Sequence, residues 1–339
     1  MRNKNADAFL KTCLSALISL SGALLAAAAL LTVTAFMNSQ GTFGDALLSA
    51  FRQGLFPMLT SGWKEGLFPE IVRAIPLALL SCAVAVPWRA GLYNLGGAGQ
   101  YFTGFCCAAL VIGFFHLPWY LGLLAAALSG ALLGALLGWI RGSFHAHEGL
   151  VSMLMNWALL YGVRAAMQSF SWQAGDYPEI PLAGTLVGLG VCLITFVFLR
   201  FSVPGYQMKT FRQSEKLSLY AGMKPKKIAV CALCLSGFMA ALAGGLGLLM
   251  SGGRELPGLK LALTGPGLWA ILSCALAGGH PLGAALTGLL VSHLVQGGAG
   301  MDGNLYPSET VEITMAAALF LCAFVRNLIG RKGGYGDEL

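Results

Sequence analysis

Two uncharged amide side chains, Asn94 and Gln100, lie in a glycine-rich stretch, residues 89–100, between two long apolar runs. Amide groups can donate and accept hydrogen bonds to a polar solute, and hydrocarbon offers them no partners. Glycine tolerates backbone conformations that a helix interior does not, so this stretch predicts an interrupted helix beside a polar path. The glycines of the interruption are Gly91, Gly96, Gly97 and Gly99.

No enzymatic pattern of comparable weight occurs in the sequence. A phosphate-binding P-loop is excluded because no Gly-Lys pair is present. His145, His147 and Glu148 have a spacing that could suit a metal ion, but no further ligands are near, and a solvated turn is the favoured interpretation. Neither a Ser/His/Asp arrangement nor paired intramembrane carboxylates stand out. We therefore expect no enzymatic activity and no cofactor in this chain.

Apolar residues dominate the composition. They make up 57% of the 339 residues, while charged residues make up only 10%, well below the roughly 25% of soluble domains. Apolar runs of about eighteen or more residues recur along the chain, each long enough to cross a hydrocarbon layer of roughly 30 Å. The sequence therefore predicts an all-α, polytopic membrane protein with about ten transmembrane helices, some of them broken, in a single transmembrane domain over residues 1–339.

The basic residues indicate the orientation of the chain. A net charge of +7 would suggest a nucleic-acid partner for a soluble protein, but in membrane proteins Lys and Arg collect in cytoplasmic loops. Most of the 21 Lys and Arg residues fall on the side of the two termini. Both termini are therefore expected in the cytoplasm, and no nucleic acid is expected as a partner. The segment of about residues 38–70 is expected outside, as amphipathic pieces at the interface.

The largest basic loop, about residues 201–227, is the best candidate for contact with a cytoplasmic partner. It carries six basic residues against the single acid Glu215. Its helix-compatible stretch, Thr210 to Ala221, is followed by the helix-stopping residues Gly222 and Pro225. Such a helix could dock in a groove on a soluble motor, and the alternative is an ordinary basic loop.

The chain offers a polar path without an obvious ion relay. Ion-coupled transporters usually need an ionisable residue within the membrane, where a charge costs at least about 2.5–3.5 kcal/mol. Here the carboxylates are expected at loops and span ends, with Glu309 and Glu312 the nearest to an exception. The energy for transport is therefore expected to come from another subunit.

Four segments resemble one known family. Asn94–Gln100, which follows Arg89–Tyr93, is similar to a signature of the permease subunits of ABC importers for simple sugars and nucleosides. This is the ribose-permease-like group, and its closest branch works with basic-membrane-protein-type binding lipoproteins. His147–Trp157 has a similar Glu, hydroxyl residue and Asn in that order. Tyr220–Met223 resembles the end of the family's coupling segment, and Trp269–Val295 resembles its late helix–break–helix.

The resemblance implies a transmembrane permease subunit that forms half of a translocation pathway for a nucleoside or simple sugar. It implies four partners: a second permease in a heterodimer, a cytoplasmic ABC ATPase that holds ATP and Mg, an extracytoplasmic substrate-binding lipoprotein, and the lipid of the bacterial cytoplasmic membrane. The implied pathway residues are Asn94, Gln100, Ser152 and Asn156. The implied ATPase-coupling residues are Arg212, Ser214, Glu215, Leu217, Tyr220, Ala221 and Gly222.

The sequence departs from the family pattern in two places, and other classes remain as alternatives. Ala98 stands where the family commonly has Glu, and residues 214–218 replace the usual Asn-Pro and paired alanines ahead of Tyr220. The first alternative is a stand-alone secondary transporter or facilitator, which would move solute along an ion gradient in liposomes that hold only this chain. A membrane-embedded enzyme is the second, and the lack of an assembled acid/base or metal set argues against it.

Overall fold

The described part of the chain is built from helices. The computed structural model describes residues 4–38, 42–61, 66–169, 177–253, 265–298, 300–301, 306 and 309–332, and no strand occurs within those ranges. The helices are α1 (Lys4–Asn38), α2 (Phe43–Ser49), α3 (Phe56–Thr60), α4 (Leu67–Trp88), α5 (Gly97–Ala109), α6 (Trp119–Phe144), α7 (Glu148–Ser169), α8 (Pro181–Phe201), α9 (Val203–Gln213), α10 (Glu215–Tyr220), α11 (Pro225–Met250), α12 (Pro266–Leu276), α13 (Pro281–Gly298) and α14 (Glu309–Lys332). Two π-helical segments, Ala50–Leu55 and Leu110–Phe114, follow α2 and α5.

Within the described residues, six helices are long and apolar enough to cross a bilayer. Their apolar stretches are Ala16–Met37, Leu67–Trp88, Gly97–Phe114, Trp119–Phe144, Pro181–Phe201 and Pro225–Met250. An all-helical, multi-pass membrane protein is therefore confirmed. Two shorter apolar helices, Pro266–Leu276 and Thr310–Val325, are also present. The count of ten crossings and the side on which the termini lie stay predictions.

The chain forms two compact units. Unit 1 comprises Met1–Glu70, Ala275–Gly278 and Leu290–Leu339, and unit 2 comprises Ile71–Cys274 and Gly279–Leu289. Every predicted pathway residue and every predicted coupling residue belongs to unit 2. A single permease domain over the whole chain stays a prediction.

In unit 2, glycines bring the backbone of α11 against the backbones of α5 and α6. A Cβ atom on Gly130 would overlap the carbonyl oxygen of Gly237, and one on Gly244 would overlap the carbonyl oxygen of Tyr101. Small residues allow this close approach between membrane helices, and the glycines of α6 recur at a spacing of four residues. We call these contacts the glycine seam, formed by Gly104 of α5, Gly130, Gly134 and Gly138 of α6, and Gly237 and Gly244 of α11.

In unit 1, α1 packs against α14, and a helical stretch from α2 to α3 packs near the end of α1. The predicted amphipathic segment, about residues 38–70, contains this stretch, while its residues 39–41 and 62–65 lie outside the described residues. Small buried residues recur along one side of the stretch, and large apolar side chains such as Phe43 and Phe51 are exposed. The shared buried cluster is Leu31, Ala35, Ala46, Ala50 and Tyr306.

Candidate functional site

The predicted helix interruption is present between α4 and α5. The α4 helix ends at Trp88 and α5 begins at Gly97, and the intervening turn is closed by a hydrogen bond from Leu92 N to Pro87 O at 3.0 Å. Gly91 has a φ of 70°, in the left-handed region that favours glycine over residues with a Cβ atom. The backbone conformation therefore explains why glycine stands at this position.

Asn94 is the centre of a buried hydrogen-bond network at this interruption. Its side chain is only 2% exposed, and its Nδ2 donates to Gln100 Oε1 at 2.8 Å and to Ser236 Oγ at 2.9 Å. Its Oδ1 accepts from Gly96 N at 3.0 Å. Ser236 Oγ in turn donates to Ala83 O at 2.8 Å. Because both ends of the amide are engaged, Asn94 fixes the turn between α4 and α5.

Two side chains of α7 hold the start of α5. Ser152 and Asn156 are four residues apart, so they lie on one face of α7. Ser152 Oγ accepts from Leu95 N at 3.0 Å, and Asn156 Oδ1 accepts from Gly99 N at 2.6 Å. Gly99 N belongs to the first turn of α5, whose N–H groups have no partners within the helix. The structure thus brings the four predicted pathway residues to one place.

The close approach of α7 explains two further glycines. A Cβ atom on Gly96 would stand 2.9 Å from Ser152 O, and one on Gly99 would stand 3.0 Å from Asn156 O. Gly97 differs, because a Cβ there would make only an ordinary contact with α4, at 3.6 Å. Gly96 and Gly99 therefore position α5 against α7, whereas packing does not require glycine at Gly97.

Gln100 holds a buried donor that the described residues leave unused. Its side chain is 0% exposed, and Nε2 has no hydrogen-bond partner. A buried polar group without a partner costs roughly 1–3 kcal/mol. Asn156, whose Oδ1 accepts from the neighbouring Gly99 N, is only half-buried. The network therefore has one unused donor in its interior and one amide at its edge.

The coupling segment consists of two helices rather than one. The sequence predicts a helix over Thr210–Ala221, but α9 ends at Gln213, and Ser214 is extended, with φ −164° and ψ 123°. Ser214 Oγ accepts from Leu217 N at 3.2 Å and so caps the start of α10. The prediction of a single helix is wrong because serine favours this capping position over a helix interior.

The end of α10 presents apolar side chains to its surroundings. The exposed fractions are 52% for Leu217, 56% for Leu219 and 91% for Tyr220. Ala221 is also exposed, and Gly222 follows it with a φ of 74°, as is typical of a glycine that ends a helix. We call Leu217, Leu219 and Tyr220 the apolar end of α10. Grouped apolar side chains on a surface are typical of a protein contact.

Arg141 connects α6, α7 and α10 through two carboxylates. Its Nε donates to Glu148 Oε2 at 3.0 Å, and its Nη2 lies 3.5 Å from Glu215 Oε2. Glu148 is the first residue of α7, which also carries Ser152 and Asn156. Glu148 is buried, so the predicted solvated turn is wrong at this residue. The local sequence gives no signal for the pair of Arg141 with Glu215, because α10 meets α6 only in the folded chain.

A cavity of about 230 Å³ lies beside these ion pairs. Within the described ranges, no group of three or more His, Cys, Asp or Glu side chains is arranged as metal ligands. The cavity is a recess of mixed charge beside α9 and α10. Its lining residues are Arg141, Gly142, His145, Phe211, Glu215, Leu219, Pro225, Lys226 and Ala229.

Arg212 connects α9 directly to the interruption. Its Nη1 donates to Trp88 O at 3.4 Å, and a Cβ atom on Gly91 would stand 3.2 Å from Arg212 Cγ. The residues predicted for coupling therefore touch the turn that precedes the network around Asn94. The sequence predicts both groups but not this contact between them.

In unit 1 the structure contains a buried ionisable pair that sequence reasoning missed. Glu70, near the start of α4, is 5% exposed, and its Oε1 makes a short contact with His293 Nδ1. His293 Nε2 lies 3.0 Å from Leu59 O, so it carries a hydrogen. The signal that could have found the pair is that His293 is the only ionisable residue in the apolar run 282–295.

We expect Asn94→Leu to destabilise unit 2 by at least about 2 kcal/mol, because it leaves Gly96 N and Gln100 without their buried partners. The measurement is the thermal midpoint of the purified protein in detergent. Gln213→Leu is the control, since it exchanges an exposed amide at the end of α9 for the same side chain. Equal midpoints for the two variants would contradict the role of Asn94 in fixing the turn.

Known proteins resemble this chain over most of its length. Residues 67–324 match the family described as branched-chain amino acid transport system / permease component. The guanosine ABC transporter permease protein NupP of Bacillus subtilis (strain 168) is 29% identical, over 78% of this chain and 84% of the relative. The glucose ABC transporter permease protein TsgB13 of Haloferax volcanii is 27% identical, over 74% of this chain and 73% of the relative.

A third relative is the nucleoside ABC transporter permease protein NupB of Lactococcus lactis subsp. cremoris, which is 23% identical over 73% of this chain and 76% of the relative. The family match covers well over half of the chain and includes the interruption, α7 and the coupling segment. The chain therefore belongs to the permease-component family of branched-chain amino acid transport systems and is a transmembrane permease subunit of an ABC importer.

Proposed function

We propose that this subunit forms half of the pathway for a nucleoside. Two of the three relatives described above are named for guanosine or nucleoside transport. A simple sugar is the second candidate, because the relative from Haloferax volcanii is named for glucose. Both solutes carry hydroxyl groups, which amides can recognise by hydrogen bonding without any charge. The proposed pathway runs beside Asn94, Gln100, Ser152 and Asn156, and of these Gln100 has an unused donor and Asn156 is half-buried.

The proposed assembly gives this chain four partners, which are three other subunits and the surrounding membrane. A second, different permease completes the pathway, and a cytoplasmic ABC ATPase binds ATP and Mg and docks on the apolar end of α10. An extracytoplasmic lipoprotein delivers the solute, and the complex lies in the bacterial cytoplasmic membrane. This chain then needs no catalytic residue of its own, and its family membership and the exposed Tyr220 support the arrangement.

The observation that carries the mechanism is that the coupling segment touches both sides of the interruption. On one side, Arg212 of α9 donates to the carbonyl of Trp88 at the end of α4. On the other, Glu215 of α10 is paired through Arg141 with Glu148 at the start of α7. A displacement of α9 and α10 by the ATPase therefore reaches the turn after α4 and the helix that caps α5.

The network at the interruption supplies the contacts with the solute. The unused Nε2 donor of Gln100 gains a partner when water or a solute hydroxyl reaches it, which offsets its cost of burial. Asn156, half-buried at the edge of the network, is the first of the four that a solute meets. The hydrogen bonds are few and uncharged, so the solute is held weakly enough to leave.

We expect Asn156→Asp to lower nucleoside uptake by about tenfold while the complex still assembles. The carboxylate keeps the acceptor for Gly99 N, and its negative charge suits the start of α5. It loses the Nδ2 donor, and one lost hydrogen bond to a solute is worth about 1.4 kcal/mol, or a factor of ten. The measurement is ATP-driven uptake of radiolabelled guanosine by the reconstituted complex.

The matched control is Asn156→Ala, which removes both the cap and the donor. This variant should also lower the thermal midpoint, because loss of a cap costs about 1 kcal/mol, whereas the midpoint of Asn156→Asp should stay unchanged. Wild-type uptake by Asn156→Asp would remove Asn156 from the pathway.

The whole proposal is tested with proteoliposomes. Vesicles that hold this chain, its partner permease, the ATPase and the binding protein should accumulate nucleoside only when ATP is present on the side of the membrane where the ATPase binds. Vesicles that hold only this chain should accumulate none with a proton or sodium gradient. Concentration of solute by the chain alone would overturn the proposal in favour of a secondary transporter.

A further inference from the structure

Four basic side chains of unit 2 gather where helices end near the interruption. Arg89 follows α4, Arg200 lies in the last turn of α8, Arg212 lies in the last turn of α9, and His280 precedes α13. We call these four residues the arginine cluster. Only Arg212 belongs to the residues predicted for ATPase coupling, so the transport mechanism leaves the others without a role.

The contacts of neighbouring residues bring the arginine cluster together. Arg212 donates to the carbonyl of Trp88, the residue before Arg89. The ring of His280 lies 5.6 Å from the ring of Phe196, which is one helical turn before Arg200 on α8. A Cβ atom on Gly279, the residue before His280, would overlap the Trp88 indole. The Trp88 region is therefore shared by three of the four helix ends.

In unit 2, no ion pair joins a described carboxylate to the cluster. The described carboxylates of unit 2 are Glu148, Glu179 and Glu215. Glu148 and Glu215 are paired with Arg141, and Glu179 packs against Gly252 at the end of α11. Like charges held together without a counter-ion repel each other, and this repulsion is relieved when an anion binds.

Donors of the cluster lack a hydrogen-bond acceptor among the described residues. Arg89 Nε is buried and has no hydrogen-bond partner, and the Arg200 guanidinium rests over the Phe201 ring at 5.8 Å. His280 Nδ1 accepts from Gly283 N at 3.2 Å, so the neutral ring carries its hydrogen on Nε2. These N–H groups suit the oxygens of a phosphate.

Burial and charge both act on the two groups that lie outside the spans. Burial, and next the neighbouring Arg200 and Arg212, lower the pKa of Arg89. Burial, and next Arg89 and Arg200, lower the pKa of His280. Both directions agree with a partly buried site in which cations lie close to one another.

The apolar surface beside the cluster indicates the source of the anion. Along α8, the side chains of Leu193, Val197 and Phe201 are 55%, 45% and 74% exposed, and they form one stripe that ends next to Arg200. An apolar helix face that leads to a group of cations at its end matches an acyl chain with an anionic head. A soluble phosphate would make no use of the stripe.

We propose that the arginine cluster binds the headgroup phosphate of an anionic phospholipid, whose acyl chains lie along the exposed face of α8. The site goes beyond the transport function, because it gives the permease a preference for the lipid that surrounds it. Each cation near a membrane surface contributes about 1 kcal/mol to attraction of anionic lipid. Removal of two cations is therefore expected to weaken binding roughly 25-fold.

The experiment uses the complete transporter complex and native mass spectrometry with phosphatidylglycerol and phosphatidylcholine of identical acyl chains. The test variant is Arg89→Gln with Arg200→Gln. The matched control is Lys224→Gln with Lys227→Gln, which removes the same charge from exposed positions at the start of α11. Arg89→Lys with Arg200→Lys keeps the charge and guards against a variant that merely unfolds.

We expect wild type, the Lys224/Lys227 control and the charge-keeping variant to retain phosphatidylglycerol in preference to phosphatidylcholine. The Gln variant should lose this preference. Equal retention by the Gln variant, or equal retention of both lipids by wild type, would overturn it. Displacement of phosphatidylglycerol by millimolar inorganic phosphate would assign the site to a soluble anion instead. If the isolated chain retains the lipid but the complex does not, an acidic side chain of a partner subunit neutralises the cluster in the complex, and the proposal is wrong for the assembled transporter.

Discussion

Replacing Gly244 by alanine should prevent the permease from reaching a stable folded state. The added Cβ atom would overlap the carbonyl oxygen of Tyr101, and the two atoms belong to the backbones of packed helices, so no side-chain rotation relieves the overlap. Overpacking a core costs about 1–3 kcal/mol and occasionally more, and a backbone clash belongs at the upper end. We expect a loss of about 3 kcal/mol or more, measured as the thermal midpoint and the monodisperse fraction in detergent.

Gly190→Ala on α8 is the matched control for this prediction. A Cβ atom there would meet no other atom of the chain within 4 Å. Alanine also favours a helix over glycine by about 1 kcal/mol, so this variant should be as stable as wild type or more stable. If Gly244→Ala and Gly190→Ala behave alike, the glycine seam does not determine the stability of unit 2.

Replacing Tyr220 and Ala221 together by aspartate should reduce ATP-driven uptake to background. Tyr220 is 91% exposed, so the chain itself gains no clash and should fold as before. The new carboxylates would be buried unpaired in the proposed contact with the ATPase, which costs several kcal/mol and prevents docking. Co-purification of the ATPase with the tagged permease, together with uptake of labelled nucleoside, measures the effect.

Lys224→Asp serves as the control for added negative charge on the same loop. Lys224 is exposed at the N-cap of α11, where aspartate is a favourable residue, so this variant should keep both the ATPase and the uptake. Normal ATPase binding by the Tyr220/Ala221 variant would show that the apolar end of α10 does not carry the docking contact.

The local sequence was sufficient for features that depend on a single residue type in a fixed place. The glycines around Asn94 predicted the interruption, and Gly91 occupies a conformation that only glycine adopts easily. The four-residue spacing of Gly130 and Gly134 is typical of closely packed membrane helices, and both meet the backbone of α11. Each of these features follows from the absence of a side chain, which is visible without knowing the partner.

The sequence was not sufficient where a residue's role depends on a distant partner. Arg141 reads as a basic residue at the end of a span, and only the fold shows that it holds two carboxylates. Ser214 lies in a helix-compatible stretch of the sequence, yet in the structure it caps α10 and ends α9. Glu70 reads as an interfacial acid, and its burial depends on His293, more than two hundred residues away.

The predicted pathway residues show the same division. Sequence similarity selected Asn94, Gln100, Ser152 and Asn156, and the structure brings all four to the interruption. Their hydrogen bonds hold the backbone of the turn and the first turn of α5, a role that their residue types alone do not specify. Contact of these residues with the solute stays a prediction for the uptake measurements to decide.

The glycine seam also constrains how the subunit can change shape. Backbones in direct contact cannot slide past each other without overlap, so α5, α6 and α11 must travel as one rigid body. The α7 helix also approaches the start of α5 closely, at Gly96 and Gly99, but side-chain hydrogen bonds and an ion pair hold it there, and these can exchange partners. During a transport cycle, α7 would therefore move relative to the rigid group formed by α5, α6 and α11.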